Sequence, residues 1–161
     1  MIKVLNIIAG TAVDGPGLRT SIYFSGCTHQ CEGCHNPQSW DFNAGKAMTE
    51  EEIIDIVEEN GFNVTFTGGD PMCRAAALVP LAKELKSRGY NIWCYTGYTF
   101  EQLAAIPECM ELASFVDVIV DGPYVNSLRD ISLRFRGSSN QRLIDVHRST
   151  KGDIVLWDDN M

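Results

Sequence analysis

The sequence predicts an α/β fold, a mostly parallel sheet with helices packed on its outer face. Two observations carry that reading. From residue 49 onward, helical and strand-like periodicities alternate, as right-handed βαβ units require. The intervening segments 63–67 (NVTFT), 91–95 (NIWCY) and 116–120 (VDVIV) are short and rich in β-branched and aromatic residues, and Gly68-Gly69, Thr96-Gly97 and Asp121-Gly122 end them in turn. With 161 residues and no repeat or low-complexity linker, the chain is read as one domain, residues 1–161.

Taken in order, residues 3–8 (KVLNII) form a first strand and DGPG at 14–17 a tight turn, with Asp14 placed to bond its own backbone. Residues 19–25 alternate like a second strand, which delivers the chain into 25–40, SGCTHQCEGCHNPQSW. The polar stretch DFNAGKA at 41–47 reads as loop. Thr49 and Glu52 make a capping-box pair that opens a helix, Ile53, Ile54, Ile56 and Val57 give it an apolar face, and Gly61 is its stop. After the 63–67 strand comes Gly68-Gly69-Asp70-Pro71, then a helix within 74–88 that Pro80 either kinks or restarts. Thr99 and Gln102 cap a short helix interrupted by Pro107. The last quarter is less regular, with a loop at 125–140, a strand at 143–146 and IVLW near the end.

The apolar share of 45% is ordinary for a globular protein, and runs such as 116–120 are far too short to cross a bilayer. The first residues, MIKVLNIIAG, lack an export signal, so the expected location is the cytoplasm, where cysteines stay reduced. A formal net charge of −8 argues against a general nucleic-acid binder. The charge is uneven: 49–60 is acidic, whereas Arg129, Arg134, Arg136, Arg142, Arg148 and Lys151 crowd the C-terminal third. That basic region either meets a carboxylate, a phosphate or an acidic partner, or is a solvated surface.

The chemistry concentrates at Cys27, Cys31 and Cys34, separated by three and then two residues. One loop of that spacing wraps three thiolates around a single metal centre and leaves one position vacant. A [4Fe–4S] cluster with three protein ligands and an open iron fits this set. The alternative is zinc with His29 or His35 as fourth ligand, although no second two-ligand knuckle is present. Cys73, Cys94 and Cys109 stand singly and read as small buried hydrophobes. In parallel sheets ligands gather at the C-terminal strand ends. Here those ends carry the cysteine loop, GGDP, Thr96-Gly97 and Asp121-Gly122, which together imply one concave site.

CTHQCEGC resembles the CxxxCxxC signature of radical S-adenosylmethionine (SAM) enzymes, and DGPGLR at 14–19 is similar to a motif of the glycyl-radical activating enzymes. GCHNPQSW, GGDP, WCYTGY, VDGPYV and RFRGSSNQR narrow the resemblance to the branch that activates anaerobic ribonucleoside-triphosphate reductases. Gly33 stands where several radical SAM enzymes have an aromatic residue, a departure which that branch shares. The resemblance implies a partial (β/α) barrel of radical SAM type, a cluster on Cys27, Cys31 and Cys34, and SAM chelated at the fourth iron. It implies reductive cleavage of SAM to a 5′-deoxyadenosyl radical, which takes hydrogen from a glycine of the reductase's large subunit. It further implies an electron donor such as flavodoxin or ferredoxin. By the same likeness Gly33, Cys34 and His35 line the adenine side and Gly68, Gly69 and Asp70 meet the methionine moiety. Thr96 and Asp121 position SAM or a cation, while Asp14, Arg19 and Arg136 face the partner's glycine loop. The bland alternatives are turn formation for Asp14, Arg19 and Asp121 and a surface position for His35. Activation of another glycyl-radical enzyme, such as a formate-lyase, a zinc-binding adaptor and a simple electron carrier are the rival functions.

Overall fold

The computed structural model of the chain describes residues 1–29, 37–150 and 152–158. Its frame is a seven-stranded sheet in the order β3-β1-β2-β4-β5-β6-β7. The strands are β1 (Ile2–Thr11), β2 (Arg19–Phe24), β3 (Lys46–Met48), β4 (Asn63–Gly68), β5 (Ile92–Tyr95), β6 (Val118–Asp121) and β7 (Arg142–Asp145). The four central strands, β2, β4, β5 and β6, run parallel, whereas β1, β3 and β7 join the flanks antiparallel. β3 lies within and just beyond the stretch expected to be loop: Ile2 pairs with Met48 and Val4 with Lys46. A three-residue edge strand with one buried side chain carries too little periodicity to be read from sequence.

Parallel registry separates the two faces of the sheet. Ile22, Phe66, Cys94 and Ile119 align across four strands and belong to the main core, with Ile144 beside them on β7. The helices supply the other half of that core: Ile53, Ile54 and Val57 from α1 (Glu50–Asn60), Leu78, Leu81, Ala82 and Leu85 from α2 (Ala75–Ser87). Phe100 and Leu103 of α3 (Phe100–Leu103) and Cys109, Leu112 and Ala113 of α4 (Pro107–Ala113) complete it. Cys94 and Cys109 are thus packing residues. On the opposite face stand Ser21, Thr65 and Trp93 in one row and Tyr23 and Thr67 in the next. There Trp93, Val118 and Val120 form a second cluster with Tyr95, Phe135, Leu143 and Trp157.

The helix boundaries follow local chemistry. Thr49 accepts from the Glu52 N–H and the Glu52 carboxylate reaches back to Thr49, while Gly61 ends α1 at φ 72°. Thr99 and Gln102 repeat the box at α3, and Pro107 opens α4 at its first turn. α2 continues through Pro80. Ala76 and Pro80 are both exposed, so water can take the carbonyl that the missing N–H leaves. No described helix is long and apolar enough to cross a membrane.

Replacing Thr49 with alanine removes the α1 cap, and the expected loss is about 1 kcal/mol of unfolding free energy, read by urea denaturation. Thr99→Ala, on a helix of one turn, is the comparison that separates capping from the loss of a surface hydroxyl.

Candidate functional site

Parallel strands bring their C-terminal ends to one edge of the sheet, and there a cleft of about 210 Å³ opens. Cys27 and His29 line it from the loop after β2, Gly68, Gly69 and Asp70 from the end of β4, and Thr96 and Gly97 from the end of β5. Because β7 returns antiparallel to β6, with Arg142 opposite Asp121, its approach also reaches this edge. Tyr124, Gly137 and Gln141 make that wall.

Asp70 organises the site. Its side chain is 1% exposed, yet both carboxylate oxygens are satisfied. Oδ1 accepts from the Met72 N–H at 2.9 Å, and Oδ2 from Thr96 Oγ1 at 3.0 Å and the Gly97 N–H at 2.8 Å. His29 Nε2 also lies 2.6 Å from Oδ2. Hydrogen bonding to Asp70, then to Cys73, raises the His29 pKa from its ordinary 6.5 to about 10, so the ring is an imidazolium at neutral pH. His29 stacks edge-on against Tyr98 with ring centroids 4.6 Å apart. One carboxylate thereby fastens the cysteine loop to the ends of two strands.

Glycine is required where these segments meet. A Cβ on Gly69 would stand 2.5 Å from the Gly26 carbonyl oxygen and 2.8 Å from that of Ser39. Gly69 and Asp70 donate their N–H groups to the Phe24 and Gly26 carbonyls, both at 2.8 Å. Gly97 is bare for a similar reason, since a Cβ there would meet the His29 ring at 2.6 Å.

Of the residues expected here, Cys27, Gly68, Gly69, Asp70 and Thr96 lie together on the cleft. Cys31, Gly33, Cys34 and His35, like Lys151 of the basic region, lie outside the described residues. Asp121 is buried beside the cleft, where it accepts from the Phe100 N–H at 2.8 Å and from Arg142, which also reaches Glu101. It therefore orders the start of α3 and the β7 edge. Asp14 accepts from Ser21 Oγ at 2.9 Å and Tyr23 OH at 3.3 Å, on the face away from the helices.

Arg19 corrects the expectation of direct partner contact. It is 1% exposed, at the end of β2 opposite the cleft, and it donates to Thr65 Oγ1, the Val64 carbonyl and Asn91. A guanidinium so enclosed ties strands together. Arg136 donates to the Gln141 carbonyl at 2.6 Å and so holds the loop behind the cleft. Tyr124, Gly137 and Gln141 are site residues that sequence reasoning missed. Gln141 accepts from the Gly137 and Ser138 N–H groups and donates to the Gly122 carbonyl, joining two loops. The glutamine within RFRGSSNQR was the available signal.

The chemistry of the described donors suits an iron–sulfur centre. Cys27 presents a sulfur ligand at the cleft, and the Cys27 N–H donates to the Trp40 carbonyl. The buried Trp40 Nε1–H has no hydrogen-bond partner among the described residues. A thiolate or sulfide acceptor from a centre at this loop would satisfy such a donor.

Residues 13–144 match the family described as a 4Fe-4S single cluster domain. The chain is 35% identical over 139 residues to the anaerobic ribonucleoside-triphosphate reductase-activating protein of Escherichia coli (strain K12), covering 80% of this chain and 89% of that protein. It is 35% identical over 148 residues to the protein of the same name from Vibrio cholerae, covering 86% and 92%. The crystal structure of QueE from Escherichia coli superposes with a TM-score of 0.49 at 19% identity, over 61% of this chain and 53% of that one, a likeness too loose to bear on function.

Two outcomes check the site. Gly69→Ala forces a methyl group against two backbone carbonyls, and calorimetry should show a clear fall in Tm because neither neighbour is a flexible side chain. Asp70→Asn should bring the His29 ring titration, followed by NMR, from about 10 back toward 6.5. A raised folded-state pKa means that the pair contributes fully below about pH 6.5 and that this contribution fades as pH climbs through about 10. Asp70→Asn should remove that slope from the stability profile.

Proposed function

The chain belongs to the family of anaerobic ribonucleoside-triphosphate reductase-activating proteins, and on that premise we propose that it is a radical SAM enzyme that installs a glycyl radical on such a reductase. The observation that carries the reading is the meeting of Cys27 with Gly68, Gly69 and Asp70 in one cleft at the strand ends. When bound, a reduced [4Fe–4S] cluster supplies one electron to SAM, cleaving its S–C5′ bond to give the 5′-deoxyadenosyl radical that takes hydrogen from the reductase glycine.

The rest follows from the chain's own side chains. Cys27, with Cys31 and Cys34, holds the metal and leaves one position open. Gly68 and Gly69 line the cleft with backbone, and on this reading that backbone meets the amino-acid end of SAM. Asp70 keeps the cysteine loop at a fixed distance from β4 and β5, and Thr96 acts through its bond to Asp70. Gly33, Cys34 and His35 flank the adenine on this reading. Asp121 holds the start of α3 and the β7 edge beside the cleft. Tyr95 and Tyr124 line the cleft with ring surface. Asp14 faces the incoming glycine segment, and Arg136 acts on it through the loop it holds, while Arg19 serves the sheet alone. The open sheet is then a partial (β/α) barrel and the chain a single radical SAM domain. Its setting is the cytoplasm, where flavodoxin or ferredoxin supplies the electron.

Anaerobic reconstitution followed by reduction with SAM tests this. The expected product is 5′-deoxyadenosine, absent from Cys27→Ala, and with the reductase added, a glycyl radical signal by EPR. A brown, reduced protein that releases no 5′-deoxyadenosine would rule the reading out, and a colourless protein carrying zinc would replace it with an adaptor.

A further inference from the structure

Between Tyr124 and Gly137 the chain leaves the cleft wall, runs outward and returns. This excursion is a built finger. Arg129 and Ser138 form an antiparallel bridge, and the Ser139 N–H donates to the Leu128 carbonyl at 2.9 Å. The Asp130 N–H donates to the Gly137 carbonyl at 3.2 Å, and Asp130 Oδ1 accepts from the Ser132 N–H at 2.9 Å. At the root, Tyr95 OH donates to the Phe135 carbonyl at 2.6 Å, and the Phe135 ring stands edge-on to Trp93. Phe135 takes φ 62°, a left-handed conformation that an aromatic residue keeps only where its surroundings fix it.

What the finger presents is apolar. Ile131 is 89% exposed and Leu128 42%. A single exposed apolar side chain means little. Two on one hydrogen-bonded projection, with the exposed Arg129 and Arg134 beside them, make a pre-ordered contact with little entropy left to lose on binding. The DGPG loop rests on the same Trp93, whose ring would lie 3.3 Å from a Cβ on Gly15, and it exposes Val13 and Leu18. Charge is divided between the two faces of the sheet. α1, on the helical side, carries Glu50, Glu51, Glu52, Asp55, Glu58 and Glu59, whereas the finger, rooted on the other face by Phe135, carries three arginines, Arg129, Arg134 and Arg136, against one carboxylate, Asp130. An acidic partner approaching this acidic protein is turned toward the finger.

We infer that the 125–136 finger is the docking element for the reductase, seating Ile131 and Leu128 in an apolar socket bordered by carboxylates next to the segment that enters the cleft. This rests on the proposed function, because the partner is the protein whose backbone must reach that cleft. Continuity supports it, since the finger's base at Gly137 is itself a wall of the site.

The test measures affinity of the cluster-loaded protein for the large reductase subunit, at low and moderate salt, alongside reductase-free SAM cleavage. Ile131→Asp should weaken binding about tenfold or more and Arg129→Glu at least about fivefold, with the Arg129→Glu loss shrinking as salt rises. Iron content, circular dichroism and SAM cleavage should stay at wild-type values. Weakening below about fivefold in both variants overturns the inference, as does a parallel loss of SAM cleavage. A change in the protein's own oligomeric state with unaltered reductase binding also overturns it and assigns the finger to a second copy of this chain. Wild-type protein that neither cleaves SAM nor binds the reductase removes the proposed function itself, and the finger's role with it.

Discussion

The buried carboxylate of Asp70 is the constraint on which the site depends. A charge removed from water is costly unless every lone pair finds a donor, and here four groups from three segments converge on it. The arrangement works only because Gly69 lets the β4 end lie against Gly26 and Ser39, and Gly97 lets the β5 end lie against His29. Asp70 and the glycines around it are therefore one device: bare backbone allows the approach, and the carboxylate fixes it. The cysteine loop is held by its flanks, Gly26 and His29 on one side and Ser39 and Trp40 on the other.

The sheet explains why the site lies at this edge. One face is a continuous apolar layer against the helices, while the other changes from the aromatic packing of Trp93, Phe135 and Trp157 to the polar side chains of Ser21, Tyr23, Thr65 and Thr67. Four parallel strands end together, and the antiparallel β7 brings RFRGSSNQR back to the same place. Gln141 then joins that segment to Gly122, so the irregular last quarter of the chain becomes the fourth wall of the cleft.

Local chemistry made much of this legible in the sequence. The capping boxes at Thr49 and Thr99, the Gly61 stop and the parallel strands rest on nearest-neighbour physics and stand where the residues put them. Gly68, Gly69, Asp70 and Thr96 were also readable, because strand ends of a parallel sheet must converge. What escaped depends on contacts distant in sequence. Arg19 sits in a motif that looks like a partner contact, yet Thr65 and Asn91, more than forty residues away, enclose it. Asp121 shows the same strand-end punctuation as its neighbours, and only the pairing of β6 with β7 shows that Arg142 meets it. β3 is too short for any periodicity, and although Tyr124 and Gln141 lie in the VDGPYV and RFRGSSNQR motifs, only the path of the loop between them brings both to the cleft.

On the proposed function, SAM binds at the position left open beside Cys27, in the cleft that Gly68 and Gly69 line. EPR of the reduced, reconstituted protein with and without SAM tests it directly, because a ligand on the unique iron alters the g-tensor of the cluster. The expected result is a distinct spectrum on adding SAM to wild-type protein, and a weakened or absent change in a folded Gly69 variant. An identical spectrum at saturating SAM, from a protein with a full complement of iron, would contradict it.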